Sequence, residues 1–124
     1  MLRKETMHPG RALVEELFHT IDAREWEALP RFFHPEVVYE RPGYEPLVGL
    51  AQLLHFYRDV RVIASGAHTL DRIVLDEECA ACWGRFVGLH RDGSPIDERF
   101  ADVYTLAGDG KIATRRSYFF RPAV

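Results

Sequence analysis

Cysteine is nearly missing from this chain: 124 residues hold two, Cys79 and Cys82, in the pattern Cys-Ala-Ala-Cys. That spacing occurs in redox and zinc sites, but its surroundings argue against both. A reactive thiol pair needs a helix N-terminus, whereas Cys79 to His90 reads as a strand, in which residues three apart face opposite ways. A zinc site needs a second ligand pair. His8, His19, His34, His55, His68 and His90 are scattered, with no His-x-x-x-His pair and no second Cys pair. No metal or other cofactor is therefore expected. An excess of basic charge is also lacking: the net charge of -3 leaves no footprint for nucleic acid or an anionic membrane. Nowhere do about eighteen apolar residues run together, and Met1-Leu2-Arg3-Lys4-Glu5-Thr6 has no apolar h-region. The expectation is a cytoplasmic protein. Repeats, linkers and low-complexity stretches are absent too, so residues 1–124 are read as one domain, large enough to bury roughly two-thirds of its unfolded surface.

Helices come first and strands afterwards. From His8-Pro9, the residues Leu13, Val14, Leu17, Phe18 and Ile21 recur at helical spacing. A shorter pattern, Trp26, Leu29, Phe32 and Phe33, ends before His34-Pro35, because proline disfavours helix at the residue preceding it. Val37 to Arg41 is a short strand stopped by Pro42-Gly43. Gly49 precedes a third helix with the stripe Leu50, Leu53, Leu54, Tyr57 and Val60, ending near Ala64-Ser65-Gly66. Four strands follow, 68–75, 79–90, 96–106 and 111–120, reversing at Asp76-Glu77-Glu78, Arg91-Asp92-Gly93-Ser94 and Gly108-Asp109-Gly110. This predicts an α+β domain with helices segregated to one face of a twisted, curved antiparallel sheet. The hollow between them is the default ligand site.

Turn chemistry sets the strand register. Asp109-Gly110 is a two-residue hairpin signal. It pairs Gly108 with Lys111, hence Asp102 with Ser117 and Tyr104 with Arg115, and directly paired residues share a face. Asp92-Gly93, in a two- or four-residue loop, places Trp83 or Arg85 opposite Asp102. One carboxylate then lies among Trp83, Arg85, Tyr104, Arg115 and Ser117, either as a polar site or as a structural ion-pair network. Phe86, Val103 and Tyr118 fall on the other face, an apolar surface that a homodimer would bury.

Glu16 to Phe33, the run Phe33-His34-Pro35-Glu36-Val37-Val38-Tyr39-Glu40-Arg41-Pro42, Gly49 before the third helix, and Asp102 to Phe119 with Gly110-Lys111-Ile112 resemble the nuclear transport factor 2-like superfamily. Within it the chain is most similar to SnoaL-like proteins and ketosteroid isomerases. The resemblance implies a cystatin-like, cone-shaped α+β fold in which a curved antiparallel sheet wraps around three N-terminal helices. It also implies frequent dimerisation and a deep pocket; activities range from isomerisation, polyketide cyclisation, dehydration and epoxide hydrolysis to plain binding. Residue by residue the match is incomplete. Asp102 matches the isomerases' protonated aspartate and Tyr57 a supporting tyrosine, but Arg41 stands where their carboxylate base would be and Leu17 where their oxyanion tyrosine would be. Ser117 occupies the place of the epoxide hydrolases' working aspartate on the final strand. Arg85 matches their pocket arginine, with Val87 in place of the aspartate two residues later.

Enclosed by Trp83, Phe100, Tyr104 and Phe119, Asp102 would have its pKa raised and serve as a general acid. With two arginines close by it is instead an orienting carboxylate, and Arg115 or Arg85 becomes the electrophile that holds a carbonyl, enolate or carboxylate oxygen. Tyr57, Tyr39 or Ser117 would add a hydroxyl. Each residue also has a plainer reading. Asp102 and its arginines form an ion pair, one of the adjacent Arg115 and Arg116 must face out, Arg41 is a solvated strand end, and Trp83 and Tyr104 are wall. His34 and His55 are candidate bases by residue type but read as surface. Two functions follow: a cofactor-independent isomerase, cyclase or dehydratase acting on a small apolar carbonyl or polyketide-like compound, with Asp102, Arg115, Arg85 and Tyr57 as its working groups, or a noncatalytic module binding a similar ligand. Tyr39, Arg41, Trp83, Val87, Phe100, Tyr104, Ser117 and Phe119 line the site in either case. A third reading, a pure dimerisation or protein-association domain, predicts a pocket filled by side chains.

Overall fold

The computed structural model describes residues 8–121; the opening Met1–Thr6 segment lies outside them. Helix α1, Pro9–Asp22, begins at a proline whose missing N–H costs nothing there, and His8 Nδ1 caps it by accepting from Gly10 N–H at 2.9 Å. Its buried stripe, Val14, Leu17, Phe18 and Ile21, follows the apolar spacing. A 3-10 turn, Trp26–Arg31, comes next, and the chain then extends as β1, Phe33–Glu40. Phe33 thus starts a strand where the apolar pattern had suggested the end of a helix. Pro35 is accommodated because pairing is interrupted between Phe33 and Val38, where no ladder N–H is needed.

After β2, Leu47–Val48, helix α2 runs Gly49–His55 and widens into a π turn, Phe56–Val60. The wider turn shifts the helical face: Tyr57 is buried, while Val60, expected on the same stripe, is exposed. Four long strands complete the chain: β3, Ile63–Asp76; β4, Cys79–His90; β5, Pro95–Leu106; and β6, Ile112–Phe119. Strand β3 therefore begins where the third helix was expected to end. The six strands lie in the order β2-β1-β6-β5-β4-β3, antiparallel except that β1 runs parallel to β6. The result is an α+β structure of three helical segments against one face of a curved sheet. Among the described residues no helix is long and apolar enough to cross a membrane.

Strict alternation in β5 defines the inner face: Ile96, Glu98, Phe100, Asp102, Tyr104 and Leu106 are all buried. On β6, Ser117 pairs with Asp102 and Arg115 with Tyr104, as expected, but by a different route. The turn is a three-residue loop, Gly108 to Gly110, with Ala107 N–H donating to the Lys111 carbonyl at 2.7 Å. Leu106 then pairs with Ile112 and Thr105 with Thr114, so an extra residue at Ala113 restores the register that a two-residue turn would have given.

No such compensation occurs between β4 and β5. Their loop is also of three residues, Arg91 to Gly93, closed by His90 N–H on the Ser94 carbonyl at 2.8 Å, with Gly93 at φ 89°. An odd loop length reverses the faces expected from a two- or four-residue loop, and Asp102 sits opposite Cys82. Trp83, Arg85 and Val87, expected in the pocket, therefore point outward, with Trp83 42% and Val87 51% exposed. Phe86, expected outside, is buried; its ring takes the space left by Gly66 and Gly88, and a Cβ on Gly66 would come within 2.2 Å of it. Val103 and Tyr118 do face out. The two cysteines also diverge, Cys79 exposed and Cys82 buried.

Candidate functional site

Asp102, 1% exposed, is the acceptor of a closed network. Its Oδ2 receives Tyr104 Oη at 2.9 Å, Arg115 Nε at 3.0 Å and Arg115 Nη2 at 2.8 Å. The third guanidinium nitrogen, Nη1, donates to Tyr57 Oη at 2.8 Å, which is what the π turn achieves by rolling Tyr57 inward. Arg115 also lies over the Tyr39 ring, 4.5 Å from its centroid. Burial opposes its charge, yet Asp102 and the surrounding phenols outweigh that and hold its pKa well above the ordinary value. Arg116, the adjacent residue, faces outward and pairs with Glu40 at 2.7 Å. Burial pushes the phenols of Tyr57 and Tyr104 up. Burial and the Asp102 charge push the Cys82 thiol up to about 12, so it is not a nucleophile.

Tyr39 behaves differently. Its hydroxyl shares a 2.8 Å hydrogen bond with Ser117 Oγ and accepts from Arg41 Nη1 at 3.0 Å. Desolvation disfavours the phenolate, but the Arg115 and Arg41 guanidiniums together prevail and bring its pKa below the ordinary phenol value. Arg41 is thus no solvated strand end: it is 9% exposed, its guanidinium lying over Phe56 and Phe119.

These groups border a narrow hollow of about 20 Å3, room for about one water. Asp102, Arg115, Ser117, Arg41, Phe100 and Phe119 line it, so six of the residues expected there are brought together, with Tyr39, Tyr57 and Tyr104 bonded directly behind them. Arg85 is absent from it, because it grips Asp97 on the outer surface through Nε–Oδ1 at 2.7 Å. A larger depression of about 450 Å3 lies on the outer sheet face around Val74, Val103 and Arg116, away from the Asp102 carboxylate.

Two residues of the hollow carry no signal in the sequence. His68, inside the first half of β3, donates through Nδ1 to Asp22 Oδ1 at 2.6 Å, while its backbone N–H donates to Asp22 Oδ2 at 2.8 Å. Desolvation lowers its pKa against the pull of Asp22, so the imidazole is neutral near pH 7 and Nε2 is its free acceptor. The ring is packed 4.5 Å from Phe86 and 4.6 Å from Phe18. Arg61, just after the π turn, is 6% exposed, and burial brings its pKa down to about 10. Only the packing of α1 on β3 and the widened end of α2 bring these side chains to the hollow. Expected surface histidines behave as such: His55 pairs with Asp59 on the exterior, and His34 accepts from Glu36 N–H. Among the described residues no three His, Cys, Asp or Glu side chains converge as a metal-binding group.

A curved sheet closed by helices over a polar-centred inner hollow defines a fold of nuclear transport factor 2-like type. It is shared with an NTF2-like protein of unknown function from Burkholderia pseudomallei, at 18% identity over 91% of this chain and 92% of that one, TM-score 0.83. A candidate SnoaL-like polyketide cyclase from Jannaschia sp. CCS1 aligns at 14% identity over 90% and 85% of the two chains, TM-score 0.79. TerC, crystallised with polyporic acid, aligns at 18% over 90% and 91%, TM-score 0.80. The SnoaL-like domain model matches residues 14–115, and the chain belongs to that family. No curated protein sequence matches it.

Proposed function

We propose that this chain is an acid–base enzyme that binds a small, largely apolar carbonyl compound of polyketide-like character at its inner hollow, which has to open beyond its one-water volume to admit the ligand. There it moves a proton between carbon and oxygen, as an isomerase, cyclase or dehydratase does. The observation that carries the reading is the presence of two fixed groups in the lining of one hollow: a guanidinium held by Asp102 and Tyr57, and a neutral imidazole held by Asp22. His68 Nε2 takes a proton from the carbon next to the carbonyl. The electron pair left behind moves onto the carbonyl oxygen, and Arg115, with the Ser117–Tyr39 hydroxyl pair, stabilises the resulting enolate. The proton then returns to another carbon or to the oxygen. With three donors converging on its Oδ2, Asp102 is the orienting carboxylate of this scheme rather than its acid. Family membership and a structural neighbour crystallised with polyporic acid support a small-molecule ligand.

The test is hydrogen–deuterium exchange in D2O at carbons adjacent to the carbonyl in a panel of cyclic and aryl ketones, followed by NMR. Wild type accelerates exchange, and His68→Gln and Arg115→Lys each lose about 10²-fold or more of that acceleration. Binding of a panel member without acceleration would establish the noncatalytic module instead. Full engagement of the Asp102 carboxylate by its ion pair is the observation that favours that second reading. In either case we propose that the outer face, with Trp83, Val87, Val103 and Tyr118 exposed, pairs with a second copy.

A further inference from the structure

Arg61 belongs to neither of these networks. Its backbone N–H is tied to the Phe56 carbonyl at 2.8 Å, and its guanidinium is wedged 5.4 Å from the Tyr57 ring and 5.9 Å from the Phe86 ring. The side chain is 6% exposed, and its Nε has no hydrogen-bond partner. The carboxylates around the hollow are already engaged: Asp102 by Arg115, Asp22 by His68, and Glu98 by Arg121 at 3.3 Å. Among the described residues none lies within salt-bridge reach of Arg61, while Arg41 and Arg115 add positive potential beside it. A buried, uncompensated guanidinium is costly to hold, and the cost is recovered when an anion arrives.

We infer that this end of the hollow is an anion subsite, in which Arg61 holds the carboxylate of a ligand whose apolar body lies against Phe86, Phe100 and Phe119. The inference rests on reading the hollow as a ligand site, as above, but not on any turnover. Two carboxylate oxygens match the guanidinium fork. Space near one water in size admits a planar carboxylate head more readily than a tetrahedral phosphate. The body needs more room, and Phe119, the least buried of the phenylalanines lining the hollow, is the ring that turns out to make it. The proposed substrate class is therefore a carbonyl compound that also carries a carboxylate, with the acid anchored at Arg61 and the carbonyl presented to Arg115.

The experiment is titration of the full chain with benzoate, benzamide and inorganic phosphate, reading affinity and the Arg61 Nε–H resonance by NMR. Benzoate should bind at least about tenfold tighter than benzamide, the minimum expected of a desolvated charge pair, and should move the Arg61 Nε–H signal. Arg61→Gln should abolish that preference and Arg61→Lys retain part of it. Equal affinity for benzoate and benzamide, an unmoved Arg61 resonance in wild type, or displacement of benzoate by equimolar phosphate would overturn the inference. The wild-type resonance decides even if a variant fails to fold. Ketone exchange that persists when benzoate shows no preference would remove the carboxylate subsite and leave the proposed chemistry standing.

Discussion

Removing one member of the Asp102–Arg115 pair tests the energetic core of the site. Both side chains are essentially dry, at 1% and 4% exposure, so solvent cannot take the place of a lost partner. Asp102→Leu leaves a guanidinium with only Tyr57 to receive it, and breaking a buried pair in this way costs about 3–5 kcal/mol. A chain of this length has an unfolding entropy near 0.26 kcal/mol/K, at roughly 2.1 cal/mol/K per residue, so Tm should fall by roughly 10–20 °C. That is a large part of a typical stability of about 5–15 kcal/mol, so urea melts should be run in the cold, where the variant stays folded. Arg115→Met strands the carboxylate instead and should cost a similar amount. The double variant Asp102→Leu/Arg115→Met removes both charges and leaves mainly the Tyr104 hydroxyl without its acceptor, about 1–3 kcal/mol, less than either single change. Single variants costing under about 1 kcal/mol, or a double variant costing the sum of the two, would refute a coupled buried pair.

The outer arginine should behave in the opposite way: Arg85→Ala breaks an exposed pair with Asp97 and should leave both Tm and benzoate affinity at wild-type values, whereas a loss of binding would return Arg85 to the pocket. For His68, the folded pKa lies below the ordinary 6.5, so as pH falls the unfolded chain takes up the proton first. Stability should be flat above about pH 6.5 and decline below it, by up to about 1.4 kcal/mol per pH unit, until the folded pKa is reached. Urea melts of wild type and His68→Gln across that range isolate the effect, and coincident pH profiles would dismiss a buried neutral imidazole. Asp22→Asn, which removes the interaction raising that pKa, should extend the decline to lower pH in the same melts. If the outer sheet face pairs as proposed, wild type should be a dimer by light scattering and Val103→Glu a monomer with unchanged circular dichroism; a monomeric wild type would refute the pairing, and a variant that stays dimeric would place the interface elsewhere.

Element types and order are legible in this chain because they depend on short-range chemistry. Apolar residues at helical spacing set the stripe of α1, and alternation from Ile96 to Leu106 sets the inner face of β5. The start of β1 was hidden because Phe32 and Phe33 suit a helical stripe as well as a strand, and only pairing with β6 decides between them. The widening at Phe56–Val60 was hidden for a related reason: a π turn has no composition of its own, so Val60 reads as continuing the stripe of Leu53, Leu54 and Tyr57.

The site depends on parity, which turn sequences signal poorly. Asp-Gly at 92–93 and at 109–110 occupies three-residue loops in both hairpins, with the glycine in the left-handed region each time. One odd loop is cancelled by the extra residue at Ala113 and the other is left uncancelled. The first accident kept Arg115 and Ser117 beside Asp102; the second exchanged Trp83, Arg85 and Val87 for Cys82, Gly84 and Phe86. That exchange alters the chemistry more than the shape. With Arg85 outside, Asp102 is left to neutralise Arg115 alone, and the further positive charge at the hollow comes from Arg61 and Arg41, carried there from the end of α2 and the end of β1. A carboxylate lying between two strand arginines would have been a balanced structural cluster. One carboxylate consumed by one arginine, with a buried guanidinium still unanswered beside it, is an imbalance that a ligand can correct.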